Sequence, residues 1–260
     1  MVARRAASGA ARLAALLLSM VCAVHARSAR AADPSALWHV VHDLCVIDMK
    51  ASGLPAPCVK VDLAGGYAVL KDIRGPTQLL LIPTARTSGI DSPKVLAPGS
   101  PNYWQAAWDA SALFEKRAKR SVPREDLGLA INSIYGRSQN QLHIHIDCLR
   151  ADVRNALRAN QSRIGRRWSR LDFPLAGRRY SAMRLDGAEL GARDPFKLLA
   201  DGDPVARADM GRETLVVAGA TFAGEKPGFI LLSEHADLAR HDPAAGEELL
   251  DHTCAVLLAP

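Results

Sequence analysis

Two histidines and an aspartate alternate within one short stretch of the chain, and their types and spacing indicate chemistry. Residues 139–148 read Q-N-Q-L-H-I-H-I-D-C. Because side chains on a β-strand alternate between its two faces, His143, His145 and Asp147 would share one face and apolar residues the other. A buried polar group without a partner costs roughly 1–3 kcal/mol. Three ionisable positions on one face therefore indicate a functional site rather than packing.

The residues alone leave three uses of this polar face open. The strand could be half-exposed, with its histidines in water. The two imidazoles could share a metal ion with Asp147 as a third ligand. One imidazole could instead attack phosphorus, since a partly neutral ring is a good nucleophile and leaves readily. The spacing disfavours a shared metal ion, because the Cα atoms of His143 and Asp147 would lie about 13 Å apart at roughly 3.3 Å per residue. A fourth metal ligand stays open among His235, His241 and His252.

Residues 1–31 have the form of an export signal. Arg4, Arg5 and Arg12 precede an apolar run over 13–24, and a small-x-small cleavage pattern lies at 29–31. The run is shorter than the about 20 residues that span a bilayer. This favours cleavage, although a retained N-terminal anchor stays open. We therefore predict one domain over 32–260.

The basic charge of the chain belongs mainly to this leader. The chain has 33 basic and 27 acidic residues, a formal net charge of +6. Five of the arginines and none of the acidic residues lie within 1–31, so the remaining chain is nearly neutral. The composition therefore gives no support for a nucleic-acid partner.

Four cysteines follow the leader, an even number that suits an oxidising compartment. Three pairings are possible. We prefer Cys45 with Cys58, which closes a short Pro-containing loop, and Cys148 with Cys254, which would tie a C-terminal helix to the histidine strand. Four separate buried thiols are the alternative.

Hydrophobic periodicity predicts an α+β fold with a mainly antiparallel sheet and flanking helices. The predicted helices are 34–45, 101–120, 151–168, a stretch near 195–200, and 243–258. The predicted strands are 67–72, 78–83, 127–134, the histidine strand, 214–219 and 228–233. The last hairpin weakly resembles the first in its pattern. This suggests a degenerate internal duplication with a catalytic half, 32–150, and a C-terminal half, 151–260. No phosphate-loop or dinucleotide glycine pattern occurs.

The run L-H-I-H-I-D resembles the motif of the histidine-triad family, His-φ-His-φ-His-φ-φ. Members also carry a hairpin similar to Y-A-V-L-K-D-I-R-G-P-T-Q-L-L-L-I-P, and an asparagine eleven positions before the first motif histidine, where Asn132 stands. The phrases G-Y-A-V-L-K-D, A-I-N-S, G-R-S-Q-N-Q-L-H-I-H-I-D-C and D-H-T-C resemble one branch, the bacterial CDP-diacylglycerol pyrophosphatases. This resemblance covers nearly all of the chain after the leader.

The resemblance implies a histidine-triad-like fold and the hydrolysis of CDP-diacylglycerol to CMP and phosphatidate, without metal or cofactor, in phospholipid metabolism. It implies a periplasmic protein at, or anchored to, the inner membrane. Leu37, Trp38 or an uncleaved leader would hold it at the lipid surface. Nothing in the sequence indicates an oligomeric state.

Carried onto this chain, the resemblance makes His145 the nucleophile on the α-phosphorus, forming a covalent nucleotidyl-histidine, and His143 the residue that orients it. The residues implied to hold phosphate oxygens are Asn132, Ser138, Gln139 and Asn140. Asp72 would accept from the ribose hydroxyls. Independently of the family, Lys71, Arg86 and Arg137 are candidates to offset phosphate charge.

Asp147 departs from the family pattern, in which a third histidine stands. A carboxylate cannot donate to a bridging oxygen unless it is protonated, so it would accept from a histidine ring or from water. Two alternative functions stay open: a metal-dependent phosphoesterase using His143, His145 and Asp147, and a non-enzymatic exported nucleotide-binding protein.

Overall fold

A single antiparallel sheet of ten strands organises residues 33–257, the part of the chain that this computed structural model describes. The predicted export signal lies outside the described residues. From Pro34 onward the described chain forms one compact unit. The strands are β1 (Lys60–Asp62), β2 (Tyr67–Lys71), β3 (Leu79–Pro83), β4 (Leu127–Ile131), β5 (Ile144–Leu149), β6 (Ser169–Arg170), β7 (Ser181–Asp186), β8 (Glu213–Phe222), β9 (Lys226–His235) and β10 (Leu250–Asp251). Their order is β1-β2-β3-β5-β4-β8-β9-β7-β6, and β10 pairs with β5 off this path.

Besides short 3-10 turns, residues 33–257 form six helical segments that flank the sheet. Helix α1 is continuous through Ala36–His39, a π-helical part Val40–Cys45, and Val46–Ser52. The others are α2 (Tyr103–Asp109), α3 (Ser111–Ala118), α4 (Ala151–Asn160), α5 (Pro195–Gly202) and α6 (Pro204–Ala208). Among residues 33–257, none of the helices combines the length and the apolar character that crossing a membrane requires.

The α+β class and both predicted hairpins are confirmed. The β2–β3 register runs from Tyr67 opposite Pro83 to Lys71 opposite Leu79, and β8 pairs with β9 over ten residues each. One sheet runs through both predicted halves of the chain, because β4 pairs with β8. The histidine-triad type of fold and the internal duplication stay predictions.

The predicted helix at 243–258 is wrong. The chain there forms a 3-10 turn (Gly246–Leu249), strand β10, and a second 3-10 turn (Ala255–Leu257). Strand β10 pairs with β5, with Leu250 opposite Leu149 and Asp251 opposite Cys148. Tertiary pairing and the disulfide at Cys254 thus override a helical spacing that the local sequence permits.

Other element boundaries also differ from the sequence prediction. Helix α4 ends at Asn160 rather than at 168, and a 3-10 turn (Gln161–Arg163) follows it. Strand β4 ends at Ile131, and the histidine strand begins at Ile144, so His143 lies just before it. The prediction missed β1, β6 and β7, of which two have only two or three residues and offer little periodicity.

The two faces of β5 separate as the alternation predicts. Ile144 and Ile146 belong to the largest buried cluster, to which β3, β4, α2, α3 and α5 also contribute. Its large members include Leu79, Leu81, Leu129, Trp104, Phe114 and Phe196. The opposite face carries His145, whose strand neighbours are Leu80 on β3 and Ala130 on β4.

His145 lies where two smaller apolar clusters meet. Leu80 belongs to a cluster with α1, through Val41 and Cys45. Ala130 belongs to a separate cluster that includes Val153 of α4. The chain therefore covers this face of the sheet with two separate packing units and places a polar group at the boundary between them.

Both preferred disulfides are confirmed. Cys45 bonds to Cys58 across 13 positions, joining α1 to the segment before β1. Cys148 bonds to Cys254 across 106 positions and joins β5 to the C-terminal segment. The two bonds therefore constrain loops of very different length.

We predict that replacing Cys148 and Cys254 by Ser lowers thermal stability more than replacing Cys45 and Cys58. In the chain-entropy model a loop of about 100 residues is worth about 4.7 kcal/mol and one of about 15 residues about 3 kcal/mol. Thermal unfolding of the two double variants, each beside the wild type, measures the difference. Equal shifts in melting temperature would contradict the prediction.

Candidate active site

The imidazole of His145 is buried, with only 4% of the residue exposed. Its Nδ1 lies 2.9 Å from the side-chain amide nitrogen of Gln78, a fully buried residue immediately before β3. Its Nε2 is buried and has no hydrogen-bond partner among the described residues. Oε1 of Gln78 is likewise buried without a partner among them. The ring is therefore held on one side and available on the other.

The orientation of the Gln78 amide determines which ring nitrogen of His145 carries the proton. With the amide nitrogen donating to Nδ1, the proton lies on Nε2. Turning the amide about its last bond keeps the shape of the side chain and lets Oε1 accept from Nδ1–H. That orientation gives the buried Oε1 its partner and leaves a lone pair on His145 Nε2.

Burial keeps both motif histidines uncharged. Desolvation lowers the pKa of His145 well below its usual range, and the neighbouring His143 lowers it further. Desolvation also lowers the pKa of His143, whose Nδ1–H donates to the backbone oxygen of Gln141 at 2.7 Å. The two rings meet edge to face, with centroids 5.0 Å apart. Burial therefore favours the neutral form of both imidazoles at neutral pH.

A carboxylate faces the free nitrogen of His145. Oε2 of Glu247 lies 3.6 Å from His145 Nε2 and accepts from Nδ2 of Asn132 at 3.2 Å. Oε1 accepts from Nη1 of Arg74 at 3.1 Å and lies 3.3 Å from Nε2 of His252. The backbone N–H of Glu247 donates to Oδ1 of Asn132 at 3.1 Å. Donors from three separate segments thus converge on one anionic group in front of His145 Nε2.

Asp147 holds His252 rather than facing water. Its Oδ2 lies 2.8 Å from Nδ1 of His252, and its Oδ1 accepts from the backbone N–H of Cys148 at 2.9 Å. Burial raises the pKa of Asp147, and the bond from His252 opposes that rise. The same bond raises the pKa of His252. The expectation that the carboxylate accepts from a histidine ring agrees with this geometry, and the ring comes from the C-terminal segment.

The β2–β3 turn brings Asp72 and Lys71 to the site. Oδ2 of Asp72 lies 3.9 Å from His145 Nδ1, and its Oδ1 accepts from the backbone N–H of Arg74 at 3.2 Å. Nζ of Lys71 donates to the backbone oxygens of Asp72, Arg74 and Gly75. Lys71 therefore braces the turn in this structure, and Asp72 stands at the edge of the imidazole.

The predicted phosphate-holding residues divide into two groups. Asn132 lies in the site. Gln139 and Asn140 contact the start of the described chain instead: Oε1 of Gln139 accepts from the backbone N–H of Leu37 at 3.0 Å, and the N–H of Asn140 donates to the backbone oxygen of Pro34 at 2.6 Å. Ser138 is exposed in the same turn. Of the basic candidates, Arg137 pairs with Asp91 and Arg86 donates to Ser35.

Sequence reasoning missed four residues of the site, or the part they play: Gln78, Arg74, Glu247 and His252. Gln78 offered a weak signal, since it is the polar residue at the start of an otherwise apolar strand. His252 stood in the quoted phrase D-H-T-C, but only as a spare metal ligand. Glu247 lies in a segment wrongly predicted to be helical, so nothing local distinguished it.

The residues that could hold a metal ion in the structure differ from the predicted set of His143, His145 and Asp147. Among the described residues, Asp72, His145 and Glu247 bring ligand atoms within 4.8 Å of one another. The two carboxylates, however, approach different nitrogens of the ring, Nδ1 and Nε2. One ion can therefore bind the imidazole from only one side. Asp147 is engaged by His252, and the cysteines beside it form a disulfide.

We predict that the site histidines titrate in two separate ranges. His252 should titrate above its usual value of about 6.5, and His143 and His145 below it. The Asp147–His252 bond then stabilises the fold fully below the unfolded pKa, and this is lost as pH rises through the folded pKa. Ring resonances followed by NMR across pH 5–8 measure the order. Asp147→Asn should bring His252 down, and an unchanged value would contradict the assignment.

The comparisons with known proteins agree with this constellation. The sequence profile of the family "CDP-diacylglycerol pyrophosphatase" matches residues 32–258. A curated protein of Yersinia pestis named "CDP-diacylglycerol pyrophosphatase" is 41% identical over 245 residues, which cover 94% of this chain and 93% of that protein. The family match over 32–258 includes β5, the β2–β3 turn and the C-terminal segment together. This chain belongs to the CDP-diacylglycerol pyrophosphatase family.

Proposed function

We propose that the chain hydrolyses the diphosphate bond of CDP-diacylglycerol to CMP and phosphatidate, through a covalent nucleotidyl intermediate on His145. The observation that carries this mechanism is the buried, uncharged imidazole whose Nε2 has no partner among the described residues and faces an anion-binding set of donors. The family name supports the substrate. The chemistry follows from the ring: it forms a bond to phosphorus and leaves again, which divides one hard displacement into two easier ones.

In the first step, Nε2 of His145 attacks the α-phosphorus and the bond to the bridging oxygen breaks. The orientation of Gln78 that accepts from Nδ1–H keeps the lone pair on Nε2 and stabilises the positive ring that forms. His143 packs edge-on against it and keeps water from that side. Charge on the phosphoryl oxygens is met by Asn132 and Arg74. Burial strengthens the interaction with Asn132, whereas Arg74 is largely exposed.

The carboxylate of Glu247 marks the place of the phosphate. It accepts from an asparagine amide and a guanidinium, and it stands 3.6 Å from the nucleophilic nitrogen. A diphosphate cannot share that position, because like charges repel. The side chain must swing aside on binding, while its backbone N–H keeps its bond to Asn132. The outermost donor, Arg74, has 62% of its side chain exposed and lies where the substrate enters.

The roles of the remaining residues follow from their positions. Asp72, beside the nucleophile on the β2–β3 turn, would accept from the ribose hydroxyls. The β2–β3 hairpin, β5 and β4 lie side by side in the sheet, and this supports a histidine-triad-like core in which β8 and β9 belong to a diverged second half. Ser138, Gln139 and Asn140 would join the phosphate only after the turn leaves the start of α1.

We predict that His145→Ala lowers kcat by about a thousandfold or more, because the covalent step has no other nucleophile. Wild type incubated with CDP-diacylglycerol labelled at the α-phosphate, quenched and denatured in alkali, should carry label that acid releases. His145→Ala should carry none, while the matched variant His241→Ala should behave as wild type.

Activity of the wild type should persist in EDTA. Loss in chelator and recovery with zinc would instead support a metal ion at Asp72, His145 and Glu247. Tight CMP binding without turnover would support the non-enzymatic binder.

A lipid surface is the partner that this substrate requires. Ile73, at the tip of the β2–β3 turn between Asp72 and Arg74, is 99% exposed. Helix α1 also exposes Leu44 and Ile47. Leu37 and Trp38 are only half-exposed, and Leu37 packs against the cluster under α1. We propose that the turn touches the membrane and presents the headgroup to the site. The two disulfides suit the periplasm as the compartment.

Ile73→Asp should lower the rate on CDP-diacylglycerol in vesicles by about tenfold or more, since burying one such side chain in lipid is worth about 1.5–3 kcal/mol. The rate on a short-chain, water-soluble analogue should stay unchanged. Leu238→Asp, at a side chain 47% exposed in the C-terminal half, is the control. Equal losses for both variants on vesicles would contradict the docking of this turn.

A further inference from the structure

The C-terminal motif D-H-T-C, residues 251–254, directs one imidazole toward the candidate site. Asp251 accepts from the backbone N–H and hydroxyl of Thr253 and from the N–H of Ala255. Cys254 is bonded to Cys148. Three members of the motif thus fix its backbone, and only His252 directs its side chain toward the candidate site.

The register of β10 places His252 opposite Asp147. Asp251 lies opposite Cys148, so one further step along the antiparallel pair sets 252 against 147. The opposite side of the segment is also filled. A Cβ on Gly75 of the β2–β3 turn would come within 2.4 Å of the backbone oxygen of His252, and Gly75 has φ +56°. The imidazole is therefore held between β5 and the turn that carries Asp72 and Arg74.

Asp147 and His252 form a carboxylate–imidazole pair directed at the reaction. The 2.8 Å contact uses Nδ1, so Nε2 remains for proton transfer and lies 3.3 Å from Glu247 Oε1. The other oxygen of that carboxylate faces His145 Nε2. Two imidazole nitrogens thus approach the position that the substrate phosphate would take, one as nucleophile and one beside it.

We propose that His252 is the catalytic acid and base of the reaction, standing in for the histidine that the sequence lacks at position 147, and that Asp147 is its positioning residue. This inference rests on the nucleotidyl-transfer mechanism proposed above. In the first step Nε2–H of His252 protonates the bridging oxygen as the P–O bond breaks, releasing phosphatidate. In the second, neutral Nε2 takes a proton from water as its oxygen bonds to phosphorus and the P–N bond breaks. CMP leaves, and both histidines return to their starting states.

The charges around His252 favour the protonated form that the first step requires. Asp147 on β5 and Glu247 on the C-terminal 3-10 turn face the ring, as does Asp251 on its own segment; Arg74 on the β2–β3 turn opposes them. The net direction is a raised pKa. The rate of the first step should therefore fall as pH rises through that pKa.

The decisive comparison uses two leaving groups with His252→Gln. On CDP-diacylglycerol, kcat should fall about 10²- to 10⁴-fold, as for loss of a group that serves first as general acid and then as general base, with KM little changed. The p-nitrophenyl ester of CMP reports the first step directly, because its leaving group is coloured. With this substrate the variant should release one equivalent of p-nitrophenol in a burst and then stall, with CMP still bound to His145, because the second step lacks its base.

The controls separate this inference from the mechanism beneath it. A similar pair lies elsewhere, where Nδ1 of His235, at the end of β9, is 2.6 Å from Glu213. His235→Gln should keep wild-type rates and pH profile. Asp147→Asn should retain part of kcat and shift the high-pH limb to lower pH. Full activity of His252→Gln on the lipid, or steady turnover of the ester, would overturn the role of His252. Absence of any nucleotidyl-enzyme in the wild type would overturn the mechanism itself.

Discussion

Strand β5 pairs along both edges, and the placement of the groups around His145 follows from those registers. Strand β4 covers one edge and continues to Asn132. The other edge is shared: β3 pairs with residues 144–146, and β10 takes over at 148–149. Gln78 and His252 therefore reach the polar face from opposite directions along a single edge. A slip of one residue in either register would move its side chain to the wrong face.

Burial makes these registers energetically demanding. His145 and Asp147 sit on a face whose neighbours are apolar clusters, so each polar atom there requires a partner. Asp147 has two, from Cys148 and His252, whereas His145 has one at Nδ1 and leaves Nε2 free. A lone buried nitrogen costs roughly 1–3 kcal/mol. At His145 that cost falls on Nε2, the atom that chemistry on phosphorus would use.

Glu247 limits the electrostatic cost of the unliganded site. Without a carboxylate in front of His145, the guanidinium of Arg74, the amide of Asn132 and the ring of His252 would face one another with no anion between them. The carboxylate satisfies all three. A protein that binds diphosphate can thus keep its donors in place before substrate arrives, and substrate has only to displace one side chain that is anchored by its backbone.

The sequence could predict what depends on local pattern. The two hairpins, the alternation through His145 and the α+β class follow from period-two patterning and turn residues. The disulfide pairing is the preferred one of the three that the sequence leaves open. The partners of His145 and Asp147 could not be predicted this way. Gln78 is 67 positions from His145 in the chain, and His252 is 105 positions from Asp147. Glu247 is 115 positions from Asn132, to which it bonds. Apolar residues in 243–258 also fit a helical period, and only the unoccupied edge of β5 determines that the segment becomes a strand.

Moving an imidazole from the strand to the C-terminal segment changes what the site depends on. A third histidine at position 147 would be placed by β5 alone. His252 instead is placed by two residues of β10, by the turn beside Gly75 and by the Cys148–Cys254 bond, two positions further on. A pair of strands that short has little stability of its own, so the disulfide holds the segment in register. In a reducing compartment the same chain would keep His145 on its strand but hold His252 and Glu247 less firmly. An oxidising environment, in which this disulfide forms, therefore completes the site as well as stabilising the fold.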